Sequence, residues 1–165
     1  MDGSGWRGVY QILTDKGYNV SVTQNSLASL EADVETLNKA IERQKGPVIL
    51  VGIPMEGSII IQGSNADKVA VLVYIAAFQP EVRESPLDLV QTAPGLSNGD
   101  IFLPDKHGIL YYKKTKFHAG FAGDVSKKQA DFMWAYQGAF AARAFATPMT
   151  VAAWRAKPSW AYKKL

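Results

Sequence analysis

A chain of 165 residues with 47% hydrophobic and 20% charged residues is long enough for one domain with a real core and has an ordinary globular composition. A net charge of +3, with Lys113-Lys114-Thr115-Lys116 and Lys163-Lys164 as its main concentrations, reads as solvated faces and gives no expectation of nucleic acid, and with no cysteine there is neither a disulfide frame nor a thiolate zinc site. The longest apolar run, Val69 to Phe78, is too short to span a bilayer, and Asp2 stands where a signal peptide needs a basic start, so no membrane and a cytoplasmic location are the expectations.

The chain opens with turn chemistry in Asp2-Gly3-Ser4-Gly5, and Ser4 is placed to cap a helix in which Trp6, Tyr10 and Leu13 recur at helical spacing. Asp15-Lys16-Gly17 ends it. Tyr18 to Gln24 alternates as a strand, with Val20 and Val22 on one face. Ser26 or Ser29 opens a second helix, whose apolar stripe is Leu30, Val34, Leu37 and Ile41, while Glu31, Glu35, Lys39 and Arg43 face water. Gly46-Pro47 breaks it.

Val48 to Gly52 is then an apolar, β-branched run ending in glycine. The chain turns and becomes apolar again after Gly57, through the short element Ser58 to Gln62. A buried strand feeding a tight turn and a second buried element is the pattern of a nucleophile elbow, in which a G-x-S-x-G serine sits at the tip. Between Gly52 and Gly57 stand Ile53, Pro54, Met55 and Glu56, and none is a serine. Gly63-Ser64-Asn65 reads as a loop, and Val69 to Phe78 as another continuous apolar strand.

Helices alternating with strands that are apolar on both faces predict an α/β fold, a parallel sheet flanked by helices. Ligands in such sheets bind beyond the carboxyl ends of the strands, here Gln24-Asn25, Gly52-Ile53-Pro54 and Phe78-Gln79-Pro80. Gln79 to Pro104 reads as an extended excursion. Helical pattern returns from Lys113, with Phe117, Phe121 and Val125, then Ala130 to Trp134 and Phe140 to Phe145, and Thr147-Pro148 opens a helical turn carrying Val151 and Trp154. This aromatic, alanine-rich half is expected to form a helical cap. The division is a core over residues 1–80 and a cap with a return to the core over 81–165.

Candidate chemistry is sparse. His107, with Asp105 two residues before it, stands in a loop, and His118 borders a cap helix. Either is a base or ligand by type, but their surroundings favour structural roles and no close ligand spacing supports a metal. Glu56 is the ionisable group nearest the elbow tip, a weak candidate for activating water. Ser58 lies inside the following helical segment as a small packing residue. Trp134, Trp154, Trp160 and Phe117 are expected as cap core. No cofactor and no metal are implied.

Asp2-Gly3-Ser4-Gly5-Trp6-Arg7-Gly8-Val9-Tyr10, Gly17-Tyr18-Asn19-Val20, Val73-Tyr74-Ile75-Ala76-Ala77-Phe78 and Ala153-Trp154-Arg155-Ala156-Lys157-Pro158-Ser159-Trp160 resemble bacterial α/β-hydrolase-fold esterase-like proteins over nearly the whole chain. The resemblance implies a serine hydrolase with a Ser-Asp-His triad under a helical cap. It also implies a chain truncated at both ends: the family's upstream His-Gly strand end would precede Met1, and its triad Asp and His would follow Leu165. The family's elbow reads Gly-His-Ser-Tyr-Gly-Gly, so its nucleophile maps onto Pro54. A coding string GGC-ATT-CCT-ATG-GAG for Gly52 to Glu56 gives His-Ser-Tyr-Gly when displaced by a base, so a compensated frame shift is one expectation about the gene.

On this resemblance Met55, Phe78, Phe117 and Trp134 are expected to line a pocket for a small apolar ester-like ligand. Sheet edges left open by missing strands are expected to pair with another copy as a homo-oligomer. The expected function is that of a carboxylic-ester hydrolase by resemblance with its serine triad lost. The alternatives are a binding module using the cap and open edge, and a hydrolase that has recruited His107, His118 or Glu56, with or without a metal.

Overall fold

The computed structural model describes residues 3–64, 66–92 and 101–162. A 3-10 turn at Gly3–Trp6 leads into α1 (Arg7–Asp15), with Trp6, not Ser4, at the helix N-cap and no side-chain bond capping it. Gly17, at φ +84°, ends the helix by adopting the left-handed conformation that glycine reaches without strain, and its N–H closes on Thr14 O at 2.9 Å.

Residues 18–24 run on without joining a strand, contrary to the alternation of Val20 and Val22. Tyr18 and Val22 are exposed, and the segment is tethered by side chains instead of a ladder: Asn19 Nδ2 donates to Gln44 Oε1 at 2.9 Å and Gln44 Nε2 to Ser21 Oγ at 3.2 Å. A strand pattern needs a neighbour to become a strand, and no described strand lies beside this one.

Ser29, extended at φ −160°, caps α2 (Leu30–Glu42) by accepting from Ala32 N at 3.2 Å, with Glu31 and Asp33 in the positive first turn. Leu30, Leu37 and Ile41 are buried as the stripe requires, and Val34 is half-buried.

The core sheet is parallel, in the order β1 (Val48–Gly52), β2 (Val69–Ile75), β6 (Ser159–Tyr162), with Leu50 opposite Leu72, Gly52 opposite Tyr74 and Tyr74 opposite Ala161. One face packs against α3 (Glu56–Gly63), which packs in turn on α2; Leu50, Leu72, Tyr74, Ile59, Ile60 and Ile61 form the centre. On the other face, among the described residues, Ile49 and Val51 of β1 and Trp160 and Tyr162 of β6 are exposed and Val71 and Val73 of β2 half-buried, so these strands are not buried on both sides as their composition suggests. β2 stops at Ile75 because Ala76 turns to φ +46°.

The C-terminal half holds more than helices. After α4 (Pro86–Thr92), opened by reciprocal Ser85–Asp88 capping bonds, an antiparallel sheet forms from β3 (Phe102–Pro104), β4 (Ile109–Tyr112) and β5 (Phe140–Ala141). Strands of two to four residues are too short to show a period, and Phe140 to Phe145 splits into β5 and α7 (Ala142–Ala146). α5 (Lys114–Phe121) and α6 (Lys127–Ala135) pack together around Phe117, Ala122 and Ala130. The expected aromatic cap core is divided. Phe117 and Trp134 belong to that cluster, Trp154 packs on the main core, and Trp160 stands exposed on β6. Asn65, the middle of the excursion at 93–100 and the terminal Lys163-Lys164 lie outside the described residues.

Candidate functional site

The elbow is built as its glycines dictate. β1 ends at Gly52, the chain turns with Glu56 N donating to Ile53 O at 2.7 Å, and α3 starts at once. A β-carbon on Gly52 would stand 2.8 Å from the Glu56 carbonyl carbon, and one on Gly57 would collide with the carbonyl oxygen of Phe78. Both glycines are needed for the helix to fold back this tightly on the strand ends. The tip is tied to the end of β2 by Phe78 N donating to Pro54 O at 3.1 Å.

Pro54 occupies the tip and is exposed. It carries no nucleophilic atom and no N–H, and its ring holds φ near −65°. Among the described residues the non-glycine positive-φ positions are Leu27, Ala76 and Arg83, so the elbow is a relaxed turn and not the strained one that presents a nucleophile. The hydroxyl next along the helix, Ser58, is fully buried and its Oγ has no hydrogen-bond partner. It packs in the interior.

Glu56 is the first residue of α3 and half-buried. Burial raises its pKa above the usual 4.5; its own backbone N–H opposes this and the nearby Asp33 carboxylate adds to it. Asp33, on α2, is a site residue that apolar periodicity passes over: it is 1% exposed and accepts from Leu27 N at 3.1 Å and Ser26 Oγ at 3.3 Å. Burial likewise raises its pKa. Leu27, at φ +53°, accepts from Ala141 N at 2.9 Å, and Arg143 Nε donates to Ala28 O at 2.6 Å. The 26–28 loop thus joins Asp33 to β5 and α7. The visible signal for Asp33 was a charged residue on the apolar side of a helix just after a Ser-rich start.

The histidines are elsewhere. His107 is exposed in the β3–β4 turn, where Asp105 accepts from the main-chain N–H of His107 at 2.8 Å and of Ile109 at 2.9 Å. The Asp105–His107 pair is turn chemistry, with Gly108 at φ +75° completing it. His118 lies in α5 with Nε2 at 2.9 Å from Val125 O, holding the α5–α6 connection. No group of three or more His, Cys, Asp or Glu able to hold a metal occurs among the described residues.

Of the expected pocket residues, Met55 and Phe78 lie at the elbow, whereas Phe117 is 3% exposed inside the cap and Trp134 is fixed there by Nε1 donating to Tyr112 O at 2.7 Å. A run of edge-to-face rings connects the two groups: Phe78 to Phe145, Phe145 to Phe140, Phe140 to Phe102, Phe102 to Tyr112 and Tyr112 to Phe117, with centroids 5.4–6.3 Å apart. Phe145, Phe140 and Phe102 were missed because they are spread along the sequence and meet only through the cap sheet. An open groove of about 330 Å³ lined by Asn38, Ile41, Glu42, Gln62, Gly63 and Ala66 lies at the far end of α3, away from the elbow. No described helix is long and apolar enough to cross a membrane.

No family model and no curated protein matches this sequence. Solved structures do. The pyrethroid hydrolase PytH superposes with a TM-score of 0.75 at 19% identity, over 91% of this chain and 67% of its own. An extracellular α/β-hydrolase from a Paenibacillus species gives 0.73 at 18%, over 94% and 70%. Polyneuridine aldehyde esterase gives 0.74 at 12%, over 94% and 72%. This chain spans about two thirds of the length of PytH. With a parallel sheet packed against helices, the chain has part of the α/β-hydrolase fold.

Proposed function

We propose that this chain is a carboxylic-ester-hydrolase-like protein without serine-type activity, in which Met55 and Phe78, at the elbow beneath the cap, offer a surface to a small apolar ester-like ligand. The observation that carries this reading is Pro54 at the tip of the elbow: a nucleophile is needed there, and proline supplies neither an attacking atom nor the strained backbone that would present one. Ser58 does not replace it, because its hydroxyl is sealed in the core. An ester-class ligand is suggested by the names of the similar structures, a pyrethroid hydrolase and an aldehyde esterase. A cytoplasmic setting goes with this reading.

The test is turnover of p-nitrophenyl acetate, alone, with a serine-directed phosphonate and with a chelator. The expected result is no turnover above the blank. Turnover stopped by the phosphonate would refute the reading. Turnover stopped only by the chelator would replace it with metal chemistry at Glu56, His107 or His118.

A further inference from the structure

Successive N–H groups of an antiparallel strand point to opposite sides. At the end of β5, Ala142 N turns to the β3–β4 turn and donates to Gly108 O at 2.8 Å, while Ala141 N turns away and donates to Leu27 O at 2.9 Å. Arg143 Nε, in α7, adds a bond to Ala28 O at 2.6 Å. Residues 26–28 therefore stand where a further strand of that sheet would lie, more than a hundred positions earlier in the chain.

The segment that receives these bonds is strained. Leu27 is at φ +53°, a left-handed conformation in which its β-carbon crowds the backbone. Asn25 Oδ1, two residues before it, is buried with no hydrogen-bond partner among the described residues. Ser26 and Ala28 are exposed, and residues 18–24 upstream join no described strand. One carboxylate holds the shape: Asp33 Oδ1 accepts both Leu27 N at 3.1 Å and Ser26 Oγ at 3.3 Å. Asp33 is buried on α2, which packs on α3, so the holding group belongs to the core.

We propose that residues 26–28 are a releasable latch: the Asp33 carboxylate keeps them in the strained shape that fastens β5 and α7 to the core, and their release lets Phe145 move off Phe78. Bonds to an ionised acceptor favour the docked shape, and the left-handed leucine and the unpaired Asn25 oxygen oppose it. Such a balance is what a two-state element requires. Downstream the chain is pinned again, with Met149 N donating to Glu84 O at 2.9 Å and Arg83 N to Met149 O at 2.8 Å, so the pivot lies before Met149. Ala142 stays on Gly108, and the β3–β4–β5 sheet moves with α7. Phe145 on α7 lies edge to face with Phe78, centroids 5.9 Å apart, and Phe78 borders the elbow. The latch is a property of the fold and holds whether or not a ligand binds there.

Amide exchange of the full chain, followed residue by residue by NMR, tests it. In Asp33→Ala the Ala141 amide is expected to exchange about tenfold faster, the size of losing bonds to a charged acceptor, and the cross-peak between the Phe78 and Phe145 rings to weaken. Ala142, on Gly108 O, and Leu72, on Pro158 O in the core sheet, are expected to keep their protection. Arg143→Met supplies a variant at an exposed residue that folds even where Asp33→Ala does not: losing the bond to Ala28 O is expected to speed exchange at Ala141 and not at Leu72. In the double variant the Arg143 substitution is expected to add nothing, because the latch is already released. Unchanged exchange at Ala141 in either single variant, equal losses at Ala141 and Leu72, or additive losses in the double variant would each overturn the inference.

Discussion

Gly57, one residue into α3, lies so close to the main chain of Phe78 that a β-carbon at position 57 would overlap the Phe78 carbonyl oxygen. The obstacle is backbone, held by the Phe78 N–H bond to Pro54 O, and it cannot swing aside as a side chain would. Gly57→Ala is therefore expected to cost about 1–3 kcal/mol through forced separation of helix and strand. Urea denaturation measures it, and a loss below a few tenths would show that the elbow is looser than described.

Pro54→Ser puts a hydroxyl at the tip without a base to deprotonate it. His107 is in the β3–β4 turn and His118 is bonded to Val125 O, so neither serves the elbow in this arrangement. The variant is expected to show no p-nitrophenyl acetate turnover above the parent and no labelling by a fluorophosphonate. Labelling would mean that another group reaches the tip.

The acidic pair gives a pH dependence of known sign. Burial raises the folded-state pKa of Glu56 above 4.5, and of Asp33 above 3.8, so the folded protein binds more protons than the unfolded chain in the range just above those values. Stability therefore falls as pH rises from the unfolded carboxylate range through the folded pKa values, and recovers on acidification. Glu56→Gln removes one of the two charges. It is expected to raise the neutral-pH Tm by a few degrees, where about 1 kcal/mol corresponds to ~2–4 °C, and to flatten the decline. A variant no more stable than the parent at neutral pH and equally steep would contradict this.

Phe145 is the ring that joins Phe78 of the core to Phe140 of the cap and is 8% exposed. Phe145→Ala is expected to destabilise the protein by about 3–5 kcal/mol, the range for deleting a buried aromatic, and Phe145→Leu by less. Thermal unfolding of the two variants checks the order. Equal losses would indicate that the ring contacts carry little.

The sequence alone determined the local frame: a helix opened at Ser26 or Ser29 with its Leu30, Leu37, Ile41 stripe, the apolar strands at Val48 and Val69, and a turn between Gly52 and Gly57 that lacks a serine. Each is written in consecutive residues or at a fixed helical period, where local sterics and burial leave one reading. Tertiary structure decided the rest. Tyr18 to Gln24 has a strand's alternation but no described strand as neighbour, so it stays outside the sheet. Phe102, Tyr112 and Phe140 become one aromatic path only because three strands too short to show a period pair across the cap. Asp33 adds to the raised pKa of Glu56 because α2 packs on α3, and Ile49, Val51, Trp160 and Tyr162 are exposed because, among the described residues, α3 packs on the opposite side of the sheet. Contacts between distant residues depend on which surfaces meet, and no local pattern in either segment records that.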